Sequence, residues 1–178
     1  ESHLSVGVSR ARNSGVLRAV YAFRHPVFRL RLPRPPVTAR PGYDMDYEQA
    51  RFNMVEQQIR TWEVLDQAIL DLLFTVRREE FVPPAHRALA FADLELPLPG
   101  GERMWAPKME ARVLQALELG REESVLEIGT GSGYFTALLA SRAAEVTTVE
   151  IDPSLAAAAA ARLARHAFTN VHREIGDG

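Results

Sequence analysis

Between Val125 and Gly133 the chain reads Val-Leu-Glu-Ile-Gly-Thr-Gly-Ser-Gly, and the apolar stretch Tyr134 to Ala140 follows directly. A short apolar run, three alternating glycines and a second apolar run describe a buried parallel strand, a tight turn and a helix whose first amides face that turn. Such a turn binds the polar end of a nucleotide-type ligand. Spacing excludes two common versions of it. A dinucleotide fingerprint needs a small residue three positions after its second glycine, and the two possible frames place Tyr134 and Thr136 there. A phosphate-cradling loop needs a lysine after the glycines, and none follows.

The pattern Glu127-x-Gly129-x-Gly131-x-Gly133 resembles instead the first motif of S-adenosylmethionine-dependent methyltransferases. The resemblance implies that Gly129, Thr130, Gly131, Ser132 and Gly133 hold the amino-acid end of that cofactor and that Glu127 faces its ammonium group. Val146 to Ile151 reads as a second buried strand, ending in Glu150 and Ile151 about twenty residues beyond the turn; a carboxylate there can accept hydrogen bonds from both ribose hydroxyls. Val171 to Ile175 reads as a third strand, followed by Gly176-Asp177-Gly178, where the same class presents a side chain, here Asp177 beside Gly178, to the adenine amino group. Glycine turns also serve purely structural ends, and the ordered acidic residues argue for the ligand.

The flanking elements must position this turn. From Tyr47 to Leu73 the apolar positions Phe52, Val55, Ile59, Trp62 and Leu65, then Ile69, Leu72 and Leu73, recur at helical spacing, predicting one or two amphipathic helices with Phe52 and Trp62 in the core. Arg77-Arg78-Glu79-Glu80 reads as a solvated charged face, and Phe81-Val82-Pro83-Pro84 ends the helix. Phe91 to Pro107 predicts two short strands or an ordered loop around Gly100-Gly101. A helix starts at Pro107, carries Met109, Val113, Leu114 and Leu117 as one stripe, and is expected to end in a left-handed cap at Gly120. Pro153 opens an alanine-rich helix with Leu155, Ala159 and Leu163 on one face.

Composition narrows the class. The 178 residues are 47% hydrophobic and 25% charged, an ordinary globular balance for one domain with appendages. The absence of cysteine excludes disulfides, thiolate nucleophiles and cysteine-bound zinc, and fits a cytoplasmic, reducing setting. His3, His25, His86, His166 and His172 show no metal-ligand spacing, so no metal is expected. No apolar run reaches the length of a membrane span, and none is expected.

Charge is distributed unevenly. Residues 1–44 hold eight arginines against Glu1 and Asp44, together with the proline cluster Pro33, Pro35, Pro36 and Pro41, which leaves 13 basic and 21 acidic residues for 45–178. This leading arm is expected to be extended and poorly packed or disordered. It reads as a nucleic-acid or membrane tail, as a transit-type peptide, or as sequence upstream of a natural start at Met45. The last is favoured because acidic, helix-forming character begins abruptly at Met45. Outside the arm the chain is acidic, so neither nucleic acid nor membrane is an expected partner.

From about residue 50 onward the order of motifs resembles the protein-L-isoaspartate (D-aspartate) O-methyltransferase family. Val55-Glu56-Gln57-Gln58-Ile59 is similar to its opening helix, Arg78-Glu79-Glu80-Phe81-Val82-Pro83 to its arginine-to-proline segment, and Phe91-Ala92-Asp93 with Leu96-Pro97-Leu98 to the stretch before its acceptor loop. The resemblance implies an α/β fold: a three-layer Rossmann-like methyltransferase sheet, truncated after the third core strand, with an N-terminal helical subdomain. It divides the chain into the arm at 1–44, a helical and acceptor-loop subdomain at 45–107, and the N-terminal half of the methyltransferase domain at 108–178. Parallel strands are normally buried on both faces; a chain with three of the family's seven is expected to expose apolar surface and a strand edge, to aggregate, and to be inactive alone.

The implied activity is S-adenosylmethionine-dependent methylation of the side-chain carboxylate of L-isoaspartyl residues in damaged proteins, with a protein or peptide substrate and a monomeric enzyme. A carboxylate is ionised at neutral pH, so the reaction asks for alignment and exclusion of water more than for a general base. The acceptor loop departs from the family's Gly-Gln-Thr-Ile-Ser-x-Pro: here it runs Gly101-Glu102-Arg103-Met104-Trp105-Ala106-Pro107, so Trp105 replaces the acceptor-binding serine. Arg103 or Lys108 could pair with the acceptor carboxylate in its stead, and Trp105 could stand against the sulfonium as a cation–π partner. The alternative makes Trp105 a pocket-filling residue and Arg103 a solvated one. Two other functions stay open: methylation of a different acceptor, and a non-catalytic, cofactor-binding interaction protein.

Overall fold

The computed structural model describes residues 17–21 and 45–178. The other expectations for the leading arm lie outside the described residues.

The N-terminal part is helical. Helix α1, Tyr47–Met54, starts where the Asp46 side chain accepts from the Gln49 amide at 3.0 Å; α2, Gln67–Thr75, starts where Asp66 accepts from the Ala68 and Ile69 amides. Both are side-chain caps that satisfy otherwise orphaned donors. Between them α1 runs on through a wider, π-type turn over Val55–Ile59 and a tight turn ending at Trp62. The changed winding shifts the phase of the apolar stripe. Val55 and Ile59 are fully buried, whereas Trp62, expected in the core, is 40% exposed. Phe52 is also outside the core, at 51% exposed, because Arg51 takes the inward position beside it and pairs with Glu79 at 2.5 Å.

Two short antiparallel strands follow, β2 (Leu96–Pro97) and β3 (Arg103–Met104), joined across Gly100-Gly101 as expected. Helix α3, Pro107–Leu117, buries Val113, Leu114 and Leu117. Its left-handed cap is Glu118, at φ 46°, and not Gly120. Gly120 instead donates its amide to the Glu123 carboxylate at 3.0 Å, which closes the turn two residues later than the helix ends.

The sheet is parallel throughout. Strands β4 (Ser124–Ile128), β5 (Glu145–Glu150) and β6 (Val171–Ile175) fall where strands were expected. A fourth strand, β1 (Leu17–Tyr21), lies in the leading arm and pairs in parallel with β4, giving the order β1-β4-β5-β6. Helix α4 (Tyr134–Ala140) connects β4 to β5, and α5 (Pro153–Arg165), capped by Asp152, connects β5 to β6. Leu138, Val125 and Val146 are fully buried between these layers, each contributing about 1.5–3 kcal/mol by removal from water. The last strand is an edge, with Ile175 65% exposed. Among the described residues no helix is long and apolar enough to cross a membrane.

Candidate functional site

The parallel sheet sets the position of the site: β4 and β5 end side by side, and the glycine turn leaves β4 toward α4. The Gly129 amide donates to the Val149 carbonyl at 2.8 Å, so the turn begins as a continuation of sheet pairing. Gly133 caps α4 in the left-handed region at φ 82°, and a Cβ there would stand 3.2 Å from the Ala159 Cβ on α5. Helix-to-turn packing and the φ value together require glycine at that place.

Glu127 lies beneath the turn and is 3% exposed. Thr136 on α4 and Thr148 on β5 both donate to its Oε2, at 2.5 and 2.7 Å, and the Thr130 hydroxyl stands 2.7 Å from that of Thr148. With the Thr148 proton directed to Glu127, Thr130 is the donor of the second bond. Among the described residues Oε1 receives no hydrogen bond. Burial pushes the Glu127 carboxyl up to about 7, against the pull of the two threonine hydroxyls and with a smaller push from Glu150. A buried carboxyl group beside a cavity can receive a cation in its ionised form.

The open cleft over this turn is lined by Arg103, Met104, Trp105, Glu110, Glu127, Ile128, Gly129, Thr130, Gly131, Ser132 and Phe135. It therefore joins Glu127 and four of the five turn positions to both acceptor-loop candidates, Arg103 and Trp105. Trp105 is half-buried, with its indole 5.5 Å from the Phe135 ring. Arg103 is exposed, its Nε 4.0 Å from Glu95. Lys108 does not line the cavity: its Nζ pairs with Asp93 at 2.7 Å and lies 3.9 Å over the Trp62 ring. That engagement also explains where the exposed Trp62 packs.

Of the remaining candidates Ser132 lines the cavity, whereas Glu150, Ile151, Asp177 and Gly178 do not. Glu150 is buried and accepts from the Gly131 amide at 2.8 Å and from the Asp152 amide at 3.1 Å, so it braces the turn from β5. Ile151 is 56% exposed immediately beyond it. Ser132 accepts from the Tyr134 amide at 3.2 Å, and its carbonyl accepts from Arg162 at 3.2 Å. Asp177 is exposed, and Gly178 comes back against Ile128, whose side chain would lie 2.6 Å from an added Cβ.

Several residues escaped the sequence reading. Thr136 and Thr148 orient Glu127; each is a polar residue inside an apolar run, which was the available signal. Glu110 sits on the buried stripe of α3, three and four residues before Val113 and Leu114, and is 2% exposed. Burial pushes its carboxyl up to about 8, opposed by Arg78. Arg78 and Glu79, expected on a solvated face, are buried, at 1% and 6% exposed, while Arg77 remains at the surface. Arg78 binds Glu110 and Glu79 binds Arg51, so opposite charges from separate helices enclose each other, which a linear charge run does not reveal.

A family model described as protein-L-isoaspartate(D-aspartate) O-methyltransferase matches residues 49–178. A protein-L-isoaspartate O-methyltransferase of Opitutus terrae is 41% identical over 141 residues, covering 79% of this chain and 60% of that protein. One of Picosynechococcus sp. is 44% identical over 128 residues, covering 72% and 58%. The chain thus spans about 60% of the length of these curated relatives. Two solved structures share the fold: a protein-L-isoaspartate O-methyltransferase at TM-score 0.59 and 24% identity, covering 74% of this chain and 42% of that one, and a beta-aspartate methyltransferase of Plasmodium falciparum, in complex with S-adenosyl-L-homocysteine, at TM-score 0.57 and 16% identity, covering 75% and 64%. With the glycine turn, its buried carboxylate and the acceptor loop assembled around one cavity, and with the family model matched over these elements, the chain belongs to the protein-L-isoaspartate(D-aspartate) O-methyltransferase family.

Proposed function

We propose that the full-length protein transfers a methyl group from S-adenosylmethionine to the side-chain carboxylate of L-isoaspartyl residues, as the first step of protein repair, in the cytoplasm. The observation that carries this reading is the shared cavity, in which the glycine turn and Glu127 meet Arg103, Met104 and Trp105 of the acceptor loop. The residues fit the cofactor: Glu127 offers a carboxylate oxygen that accepts no hydrogen bond among the described residues, and the turn is held by Glu150 and the threonine pair. When bound, the cofactor supplies an electrophilic methyl group on a sulfonium. Glu127 would hold the ammonium; Glu150, Ile151, Asp177 and Gly178, beyond the residues that line the cavity, would recognise the ribose and adenine.

For the acceptor the chain needs only to align an ionised carboxylate and keep water away. Arg103, which lines the cavity, would pair with it, and the Trp105–Phe135 aromatic pair would form an apolar wall that excludes water. Incubating the full-length protein with methyl-labelled cofactor and an isoaspartyl peptide should yield a base-labile methyl ester. Absence of label in the peptide sinks the reading. A second reading, methylation of another acceptor, is favoured by the indole standing where the family has a serine hydroxyl; label appearing in small molecules and not in the peptide would establish it. Label in neither would leave the non-catalytic, cofactor-binding reading.

A further inference from the structure

Arg78 is the most enclosed cation near the site and plays no part in the chemistry above. Its guanidinium uses three directions at once. Nε donates to the Ala90 carbonyl at 2.8 Å, one terminal nitrogen binds the Glu110 carboxylate, and the other donates to the Trp105 carbonyl at 2.5 Å. Its plane lies 5.0 Å over the ring of Tyr134, the first residue of α4 after the glycine turn. The next residue, Phe135, contacts the Trp105 indole. A closed circuit results: Arg78 to the acceptor-loop backbone, that loop to Phe135, and Phe135 through its neighbour Tyr134 back to Arg78.

We propose that Arg78 is a positioning residue that fixes the acceptor loop against the cofactor turn, so that the Trp105 wall and the methyl-donor site keep one relative geometry. The proposal rests on the methyltransferase reading for its kinetic consequences. The Trp105 carbonyl lies two residues before the first residue of α3, and Glu110 is in the first turn of that helix, so two of the three anchors grip the segment that carries the loop into α3. The planar fork of an arginine reaches three acceptors in fixed directions; a lysine ammonium keeps the charge and is a single point.

The test is Arg78→Lys in the full-length protein, with a parallel pair in a Trp62→Phe background so that Trp105 is the sole tryptophan of the described residues. The expected result is an acceptor KM for isoaspartyl peptide raised about tenfold or more, since small misplacements of a reacting partner cost that much, with calorimetric affinity for S-adenosyl-L-homocysteine held within about twofold. Trp105 emission should become more accessible to acrylamide. Acceptor KM and quenching both unchanged in the folded variant would overturn the proposal. So would cofactor affinity and acceptor KM worsening together with thermal stability, which is the mark of a merely structural residue. Should Arg78→Lys fail to fold, Glu110→Ala removes one of the three anchors: increased Trp105 quenching supports the proposal and unchanged quenching overturns it. If the parent protein does not methylate the peptide, the assignment of function falls, and the coupling is decided by the quenching alone.

Discussion

With Glu127 as the proposed receptor of the cofactor's ammonium, cofactor binding depends on pH, and the size of the effect follows from its surroundings. Desolvation raises its carboxyl to about 7 in the free protein. It is then ionised in about nine molecules of ten at pH 8 and about one in ten at pH 6. An ammonium group recognises the ionised form, so affinity for S-adenosyl-L-homocysteine should weaken about tenfold from pH 8 to pH 6, about 1.4 kcal/mol. Proton release on binding should approach about 0.9 per site at pH 6 and about 0.1 at pH 8. Calorimetry in buffers of different ionisation enthalpy reads both quantities. Glu127→Gln should lose the pH slope and weaken the plateau by about 1.5–3 kcal/mol, the worth of a hydrogen bond to a charged group. Glu110→Gln, at the same cavity, should keep most of the slope. A flat affinity between pH 6 and 8 with no buffer dependence in the parent protein would refute the assignment of Glu127 as the ammonium receptor.

Three further outcomes follow from the same geometry. Glu127 and Glu110 have folded-state values raised by burial to about 7 and about 8, so their folded forms hold protons the unfolded chain has released. The stability they contribute is full below the unfolded carboxyl range and is lost as pH rises through about 7 and 8; the cofactor-free melting temperature should therefore fall between pH 6 and 8.5, and an equal fall in Glu127→Gln would show that this residue is not responsible. Gly133→Ala forces a Cβ into the left-handed region 3.2 Å from Ala159, and should cost about 1–2 kcal/mol in denaturant unfolding along with most cofactor affinity; wild-type values for both would show that the turn relaxes freely. Trp105→Ser exchanges the indole's share of the wall for the family's hydroxyl; a charge-assisted hydrogen bond, worth about tenfold or more in rate, outweighs the partial loss of that wall, so isoaspartyl peptide methylation should rise, and no rise in initial-rate assays would show that the indole is not what limits the reaction.

The elements nearest the cofactor were the most legible in the sequence. Strand β4 is a short apolar run and β5 a β-branched one, β6 is marked by its place after α5, and the glycine turn is a local requirement for positive φ at Gly129, Gly131 and Gly133. The helix starts at Asp46, Asp66 and Asp152 are local too, since a cap is satisfied within three residues, yet only the last was expected, and from Pro153 rather than from its cap. Periodicity failed where the winding changed: the π-type turn at Val55–Ile59 moved Trp62 out of the core and against Lys108. The end of α3 was misplaced because Glu118 tolerates the left-handed cap that a glycine two residues later suggested.

The chain's own order of residues determined the parallel-sheet class, the carboxylates at 127 and 150 and the glycine turn between them, because each depends on neighbours within one strand–turn–helix unit. Only the tertiary structure decided which charges are internal. Arg78, Glu79 and Arg51 lie in segments that look like solvated surface, yet each is buried against an opposite charge or a carbonyl 12 to 32 residues away. A buried ion becomes tolerable only when partners from distant segments converge on it, and that convergence is a property of packing, invisible in any window of sequence.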